Sequence, residues 1–164
     1  MLDRGDTDAL RITSAFEDLP PDTVAAALRG LPVTTFPIHV KPLRYRERPH
    51  LSAWTDFTER SITLQVPTPF LPFGEIVAHG AVRRPGAKMR FIWLTEGVTF
   101  STPRQVLRFL YLHEWMHWWL VECRGRKGAA ETACDRFALR NYRRPTVTEA
   151  DAEAALRRRG RAAS

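Results

Sequence analysis

The residues best suited to chemistry in this chain are His113-Glu114-Trp115-Met116-His117, which spell HExxH. On an α-helix, positions i and i+4 lie about 40° apart around the axis, so both imidazoles leave from one face. They can then bind one metal ion. Glu114 sits at the side of that face, within reach of a water on the ion. A divalent ion lowers the pKa of such a water from about 15.7 toward about 7, and the glutamate can take its proton. The spacing thus predicts His113 and His117 as metal ligands and Glu114 as the general base.

The flanking residues predict a helix that is buried. At about 100° per residue, Val106, Phe109, Leu110, Met116, Leu120 and Val121 surround the two histidines. Leu112, Trp115, Trp118 and Trp119 occupy the opposite side, and a helix apolar nearly all round belongs in a core. Two histidines and a glutamate there need partners, because an unpaired buried polar group costs roughly several kcal/mol. One metal ion would satisfy all three.

Catalytic zinc takes three protein ligands and leaves a position open for water. The candidates for the third lie in Glu131-Thr132-Ala133-Cys134-Asp135. A short turn from Arg124 to Lys127 predicts that the next helix packs antiparallel on the HExxH helix. Glu131, Cys134, Asp135, Ala138 and Tyr142 share one face of it. A simple antiparallel hairpin would set Asp135 nearer the level of His117 than Glu131, so either acid could be the third ligand.

HExxH followed by a helix carrying Glu-x-x-x-Asp resembles the gluzincin metallopeptidases. The segment Glu131 to Leu139 is similar to the second motif of the small intracellular ImmA/IrrE-type metallopeptidases. The order of sheet, then HExxH helix, also resembles the SprT-like group, although no histidine follows His117 to match that group's third ligand. The resemblance spans about residues 107–142. It implies a zincin-like α+β fold, a Zn2+ cofactor and hydrolysis of a protein or peptide substrate. It further implies Glu131 as third ligand, with Asp135 orienting a ligand histidine. By the same analogy, a strand at 60–66 or 88–94 would line the substrate cleft.

The rest of the chain must position these groups. Apolar spacing over Asp6–Leu19 predicts a helix, stopped by Pro20-Pro21, and a second short helix runs over 22–28 to Gly30. The region 35–94 reads as strands. Thr35–Tyr45 is interrupted by two prolines, Leu51–Trp54 is short, and Ser61–Val66 alternates as a half-buried antiparallel strand. Glu75–Val82 and Lys88–Leu94 read as a hairpin across Arg84-Pro85-Gly86. Ser101 or Thr102 caps and Pro103 opens the HExxH helix, which runs to about Arg124 and ends at Gly125. Further helices are expected over 128–142 and, capped by Thr148, to about Arg159. The expected architecture is one α+β domain over 1–164: N-terminal helices within 1–30, a small mainly antiparallel sheet packed on the HExxH helix, and helices again at the end.

Composition bounds the partners. The 164 residues suffice for one domain, and 44% are hydrophobic. The acidic start and the lack of a long apolar run predict a cytoplasmic protein with no membrane contact. Cys123 and Cys134 are then expected as reduced thiols rather than a disulfide. The net charge is +7, with 12 basic and 11 acidic residues before Pro103 and 13 basic and 7 acidic residues from there on. The run Arg157, Arg158, Arg159 and Arg161 ends this basic part, with a tail over 155–164. A catalytically silent zincin-fold module that binds nucleic acid or a partner protein through it is the alternative function.

Overall fold

The alternating Ile62, Leu64 and Val66 lie at the heart of a four-stranded sheet in the computed structural model, which describes residues 9–83, 91–127 and 130–157. In chain order the sheet strands are β1 (Ile12–Ser14), β2 (Ile38–Leu43), β3 (Ser52–Asp56) and β4 (Ser61–Pro67). Across the sheet they run β1-β2-β4-β3. β1 and β4 pair parallel to β2, through Ile12 with Ile38 and Ile38 with Ile62. β3 pairs antiparallel to β4 as an edge strand, with Trp54 opposite Thr63. The sheet is therefore mixed, where antiparallel pairing was expected to dominate. Burial of Thr63 together with Ile62 and Leu64 shows β4 covered on both faces, in keeping with its central place.

A second sheet is the antiparallel hairpin of β5 (Phe73–Arg83) and β6 (Phe91–Phe100). The hairpin agrees with the expected pairing of these two segments; its turn at Arg84-Pro85-Gly86 and residues Lys88 to Arg90 lie outside the described residues. A register shift at Ala78/Gly80 breaks the ladder. The expected helix over 6–19 is not formed in its described part. Ile12 to Ser14 is a strand instead, and Ala15 N–H donates to Val40 O at 2.8 Å. Pairing with β2 overrides a helical spacing that a three-residue strand satisfies equally well.

The helices are α1 (Pro21–Ala27), α2 (Pro103–Trp118), α3 (Glu131–Asn141) and α4 (Glu149–Leu156). α1 and α2 both open on proline, and the Thr102 hydroxyl accepts from Gln105 N–H at 3.3 Å. α2 is buried over most of its circumference, with Val106, Leu107, Tyr111, Leu112, Trp115 and Met116 all sealed from solvent. Each such large side chain contributes about 1.5–3 kcal/mol by leaving water. The helix continues past Trp118 as one π-helical turn, Trp119–Cys123, and Gly125 follows with φ +63°.

Two buried arginines that carried no signal in the sequence tie the layers together. Arg108 Nε donates to Tyr142 O at 2.9 Å, and its Nη1 donates to Ala27 O and Arg29 O at 2.9 and 3.0 Å. Its Nη2 reaches Arg144 O. Arg136 joins α3 to α4 and β5 through Ala155 O and His79 O, each at 2.8 Å. Close by, Gly30 has φ +87°, and a Cβ there would stand 1.9 Å from Pro145 O, so no other residue fits. Among the described residues no helix is long and apolar enough to cross a membrane.

Candidate metal centre

α2 and α3 form an antiparallel pair whose register follows from three contacts. Phe109 packs on Tyr142 with centroids 5.5 Å apart, His113 meets Asp135, and His117 meets Glu131. This differs from the simple hairpin expected from the short turn. α3 starts at Glu131 rather than at Gly128, which lies outside the described residues. The chain runs from α2 through the π-helical turn, and Ala130 stands as the N-cap of α3. Glu131 reaches the level of His117, and Asp135 falls one turn back, beside His113.

The donor atoms converge. His113 Nε2 and His117 Nε2 are 3.2 Å apart. Glu131 Oε2 lies 3.0 Å from the first and Oε1 lies 2.9 Å from the second. His113, His117 and Glu131 thus form a group whose donors all lie within 4.8 Å of one another, and such a group could hold a metal ion. Asp135 stands elsewhere: its Oδ1 is 2.8 Å from His113 Nδ1, on the other edge of that ring. An Nδ1–H donated to Asp135 leaves Nε2 to face the convergence point.

Charge is arranged unequally over the group. Burial alone would lower the His113 pKa, but hydrogen bonds to Asp135 and Glu131 outweigh it and hold the ring up at about 10. His117 is pushed down by burial and by His113. The bond from His113 holds the Glu131 carboxyl down at about 2, although its side chain is 63% exposed. A proton on His113 Nε2 would lie between the imidazole and Glu131 Oε2, which are 3.0 Å apart. A cation arriving at the same point takes that proton's place.

Glu114 is almost fully buried and turns toward the same space, its Oε2 3.7 Å from His113 Nε2. Its other oxygen, Oε1, accepts from the Thr55 hydroxyl at 3.0 Å. Burial raises the Glu114 carboxyl above its ordinary value, against the opposing pull of His113 and the Thr55 bond. Thr55 comes from β3 and had no signal in the sequence, because nothing local links two residues 59 positions apart.

These groups open into a cavity of about 630 Å3, lined also by Ala53, Trp54, Phe57 and Val121. The strand lining this cavity is β3 rather than either expected strand: β4 lies inside the sheet between β2 and β3, and the described part of the 88–94 strand lines a neighbouring cavity through Phe91 and Trp93. An Asx turn after β3 presents Phe57: Asp56 Oδ1 accepts from Thr58 N–H and Glu59 N–H at 3.0 and 2.9 Å. Tyr111 is structural, its hydroxyl donating to Pro32 O at 2.6 Å. Tyr142 is buried at the far end of α3 among Phe100 and Phe109. His39, His50 and His79 do not line the cavity. Trp115, Trp118 and Trp119 are in the core, whereas Trp54 and Trp93 are exposed. Of the basic run at the end, Arg157 is described and Arg158, Arg159 and Arg161 lie outside the described residues.

Comparison of the chain with protein-family models, with curated proteins and with solved structures returned no match.

Proposed function

We propose that this chain is a zinc-dependent metallopeptidase, with His113, His117 and Glu131 as ligands and Glu114 as the general base. The observation that carries the reading is the convergence of two imidazole nitrogens and a carboxylate beside a second, buried carboxylate. Two imidazoles and one carboxylate suit zinc. Donors about 2.0–2.1 Å from a tetrahedral ion lie roughly 3.3 Å from one another. The two imidazole nitrogens stand 3.2 Å apart, close to that edge, and each lies within 3.0 Å of a different oxygen of Glu131.

A bound zinc ion would supply a Lewis acid that makes water acidic near neutral pH and polarises a peptide carbonyl. The protein residues have separate tasks. Asp135 holds His113 in the tautomer that presents Nε2. Thr55 occupies Glu114 Oε1, which leaves Oε2 on the His113 side to accept a proton. Burial makes Glu114 more basic than an exposed glutamate, which favours proton uptake. The outer edge of β3 beside the cleft offers backbone groups to an extended peptide by strand addition.

Elemental analysis and a cleavage assay on an unfolded protein substrate test the reading together. About one zinc per chain is expected in the native protein and in Glu114→Gln, with cleavage in the native protein alone. Zinc should be lost in His117→Ala and Glu131→Ala. A native protein that takes up no zinc would overturn the assignment.

A further inference from the structure

Two cavities meet at Glu131. The first holds the histidines and is walled by Trp54, Phe57 and Val121. The second, about 550 Å3, continues between Phe91 and Trp93 of β6 and the start of α3. Glu131 and Arg126 line both. Large apolar side chains stand open at the two ends: Trp54 and Phe57 are 43% and 38% exposed, Phe91 and Trp93 55% and 59%. Isolated exposed hydrophobics need no explanation, but aromatic groups walling two adjoining cavities mark a binding surface.

Between the aromatic ends lie two cations, Arg126 and Lys127. Other cations nearby are engaged. Arg60 pairs with Glu122 at 3.5 Å and stacks on Phe36, and Arg124 pairs with Glu153. Among the described residues, Arg126 and Lys127 form no ion pair. The two carboxylates of the first cavity are committed, Glu114 to Thr55 and Glu131 to the histidines. The groove therefore offers positive charge in its middle and apolar contact at its ends.

We propose that the two cavities form one groove for an extended polypeptide, in which Arg126 and Lys127 select an acidic side chain flanked by aromatic or aliphatic residues. The proposal takes the position of the scissile bond from the peptidase reading, but the charge selectivity concerns binding and is measurable without cleavage. A single exposed pair of charges contributes a factor of about five at low salt, and screening removes much of it.

The test uses the full-length Glu114→Gln protein loaded with zinc and three fluorescein-labelled peptides of equal length. Their central segments are Phe-Asp-Leu, Phe-Asn-Leu and Phe-Lys-Leu. The aspartate peptide is expected to bind about fivefold more tightly than the asparagine peptide, with the lysine peptide weakest. Adding Arg126→Glu and Lys127→Glu should reverse that order. Trp93→Ser should weaken all three alike, as loss of an apolar wall would. An unchanged order in the charge-reversed protein overturns the proposal. So does an oligothymidylate that binds more tightly than any peptide and displaces them, since the groove would then serve nucleic acid. Cleavage by the native protein is scored separately. Charge-selective binding without cleavage defeats the peptidase reading alone, and cleavage without charge selectivity defeats this proposal alone.

Discussion

The Thr55 hydroxyl donates to Glu114 Oε1 at 3.0 Å, so an edge strand of the sheet supports the carboxylate on the HExxH helix. Replacing Thr55 with valine keeps the shape and removes the bond. Glu114 is already raised by burial, and loss of a hydrogen bond to its charged form raises it further. A base must be unprotonated to act, so the acidic limb of the pH–rate profile should move to higher pH. A profile identical to that of the native protein would show that the hydroxyl has no such part.

Asp135 touches His113 on the ring edge away from the donors. Asp135→Asn should weaken zinc binding by about 10- to 100-fold while leaving one site per chain, whereas Glu131→Ala should abolish tight binding. Competition titration with a chromophoric chelator separates the two outcomes. The reverse order would make Asp135 the ligand.

Metal removal should lower stability. A ligand at about 100 times its Kd adds about 2.7 kcal/mol, so chelation should reduce the melting temperature by several degrees. Protons compete for the same nitrogens. His113, held up at about 10, is charged at neutral pH without metal and must release a proton on binding. Titration calorimetry in buffers of different ionisation enthalpy should therefore give different apparent heats, and affinity should rise with pH.

Asp151 gives a pH effect far from the metal donors. Burial would raise its carboxyl, but the Thr148 N–H at 2.9 Å and Arg144 at 2.8 Å outweigh it and hold the carboxyl low. A depressed folded value means stability that is present above the unfolded value of about 3.9 and lost as pH falls through the folded value. Asp151→Asn should flatten that acid loss in urea unfolding followed from pH 6 to pH 2, at about those limits.

Arg108 accounts for four backbone carbonyls at once. Arg108→Met should destabilise the fold by about 3–5 kcal/mol, because buried acceptors are left unpaired. Denaturant unfolding measures it. A change under about 1 kcal/mol would mean that water replaces the guanidinium.

What the sequence made legible is local in origin. The i, i+4 histidines, the Thr102–Pro103 start of α2, the strand periodicity at 61–66 and the β5–β6 hairpin each depend on a few neighbouring residues. The strand at Ile12–Ser14 escaped because three residues cannot distinguish a period of 2 from one of 3.6. The parallel pairing of β2 with β4 depends on the path of the chain, which composition does not reveal. Which acid stands beside both Nε2 atoms depends on the α2–α3 register, and that register depends on where α3 begins and on a π-helical turn with no composition signature. Thr55, Arg108 and Arg136 act across long separations and left no pattern to read.

All the donors and their support at Asp135 fall within residues 113–135, in one helical hairpin. The contacts that complete the surroundings reach much further: Thr55 from the sheet, and the tie from Ala27 to Arg144 through Arg108. Closing a short loop costs less chain entropy than closing a long one, and contacts between near neighbours form early. Ion capture by the nascent hairpin can thus precede docking of the sheet that supplies Thr55. With the proposed zinc site, a refolding chain would take up the cation first and gain the Thr55 support of Glu114 later, and zinc in the refolding buffer would accelerate the early phase while leaving the final closure unchanged.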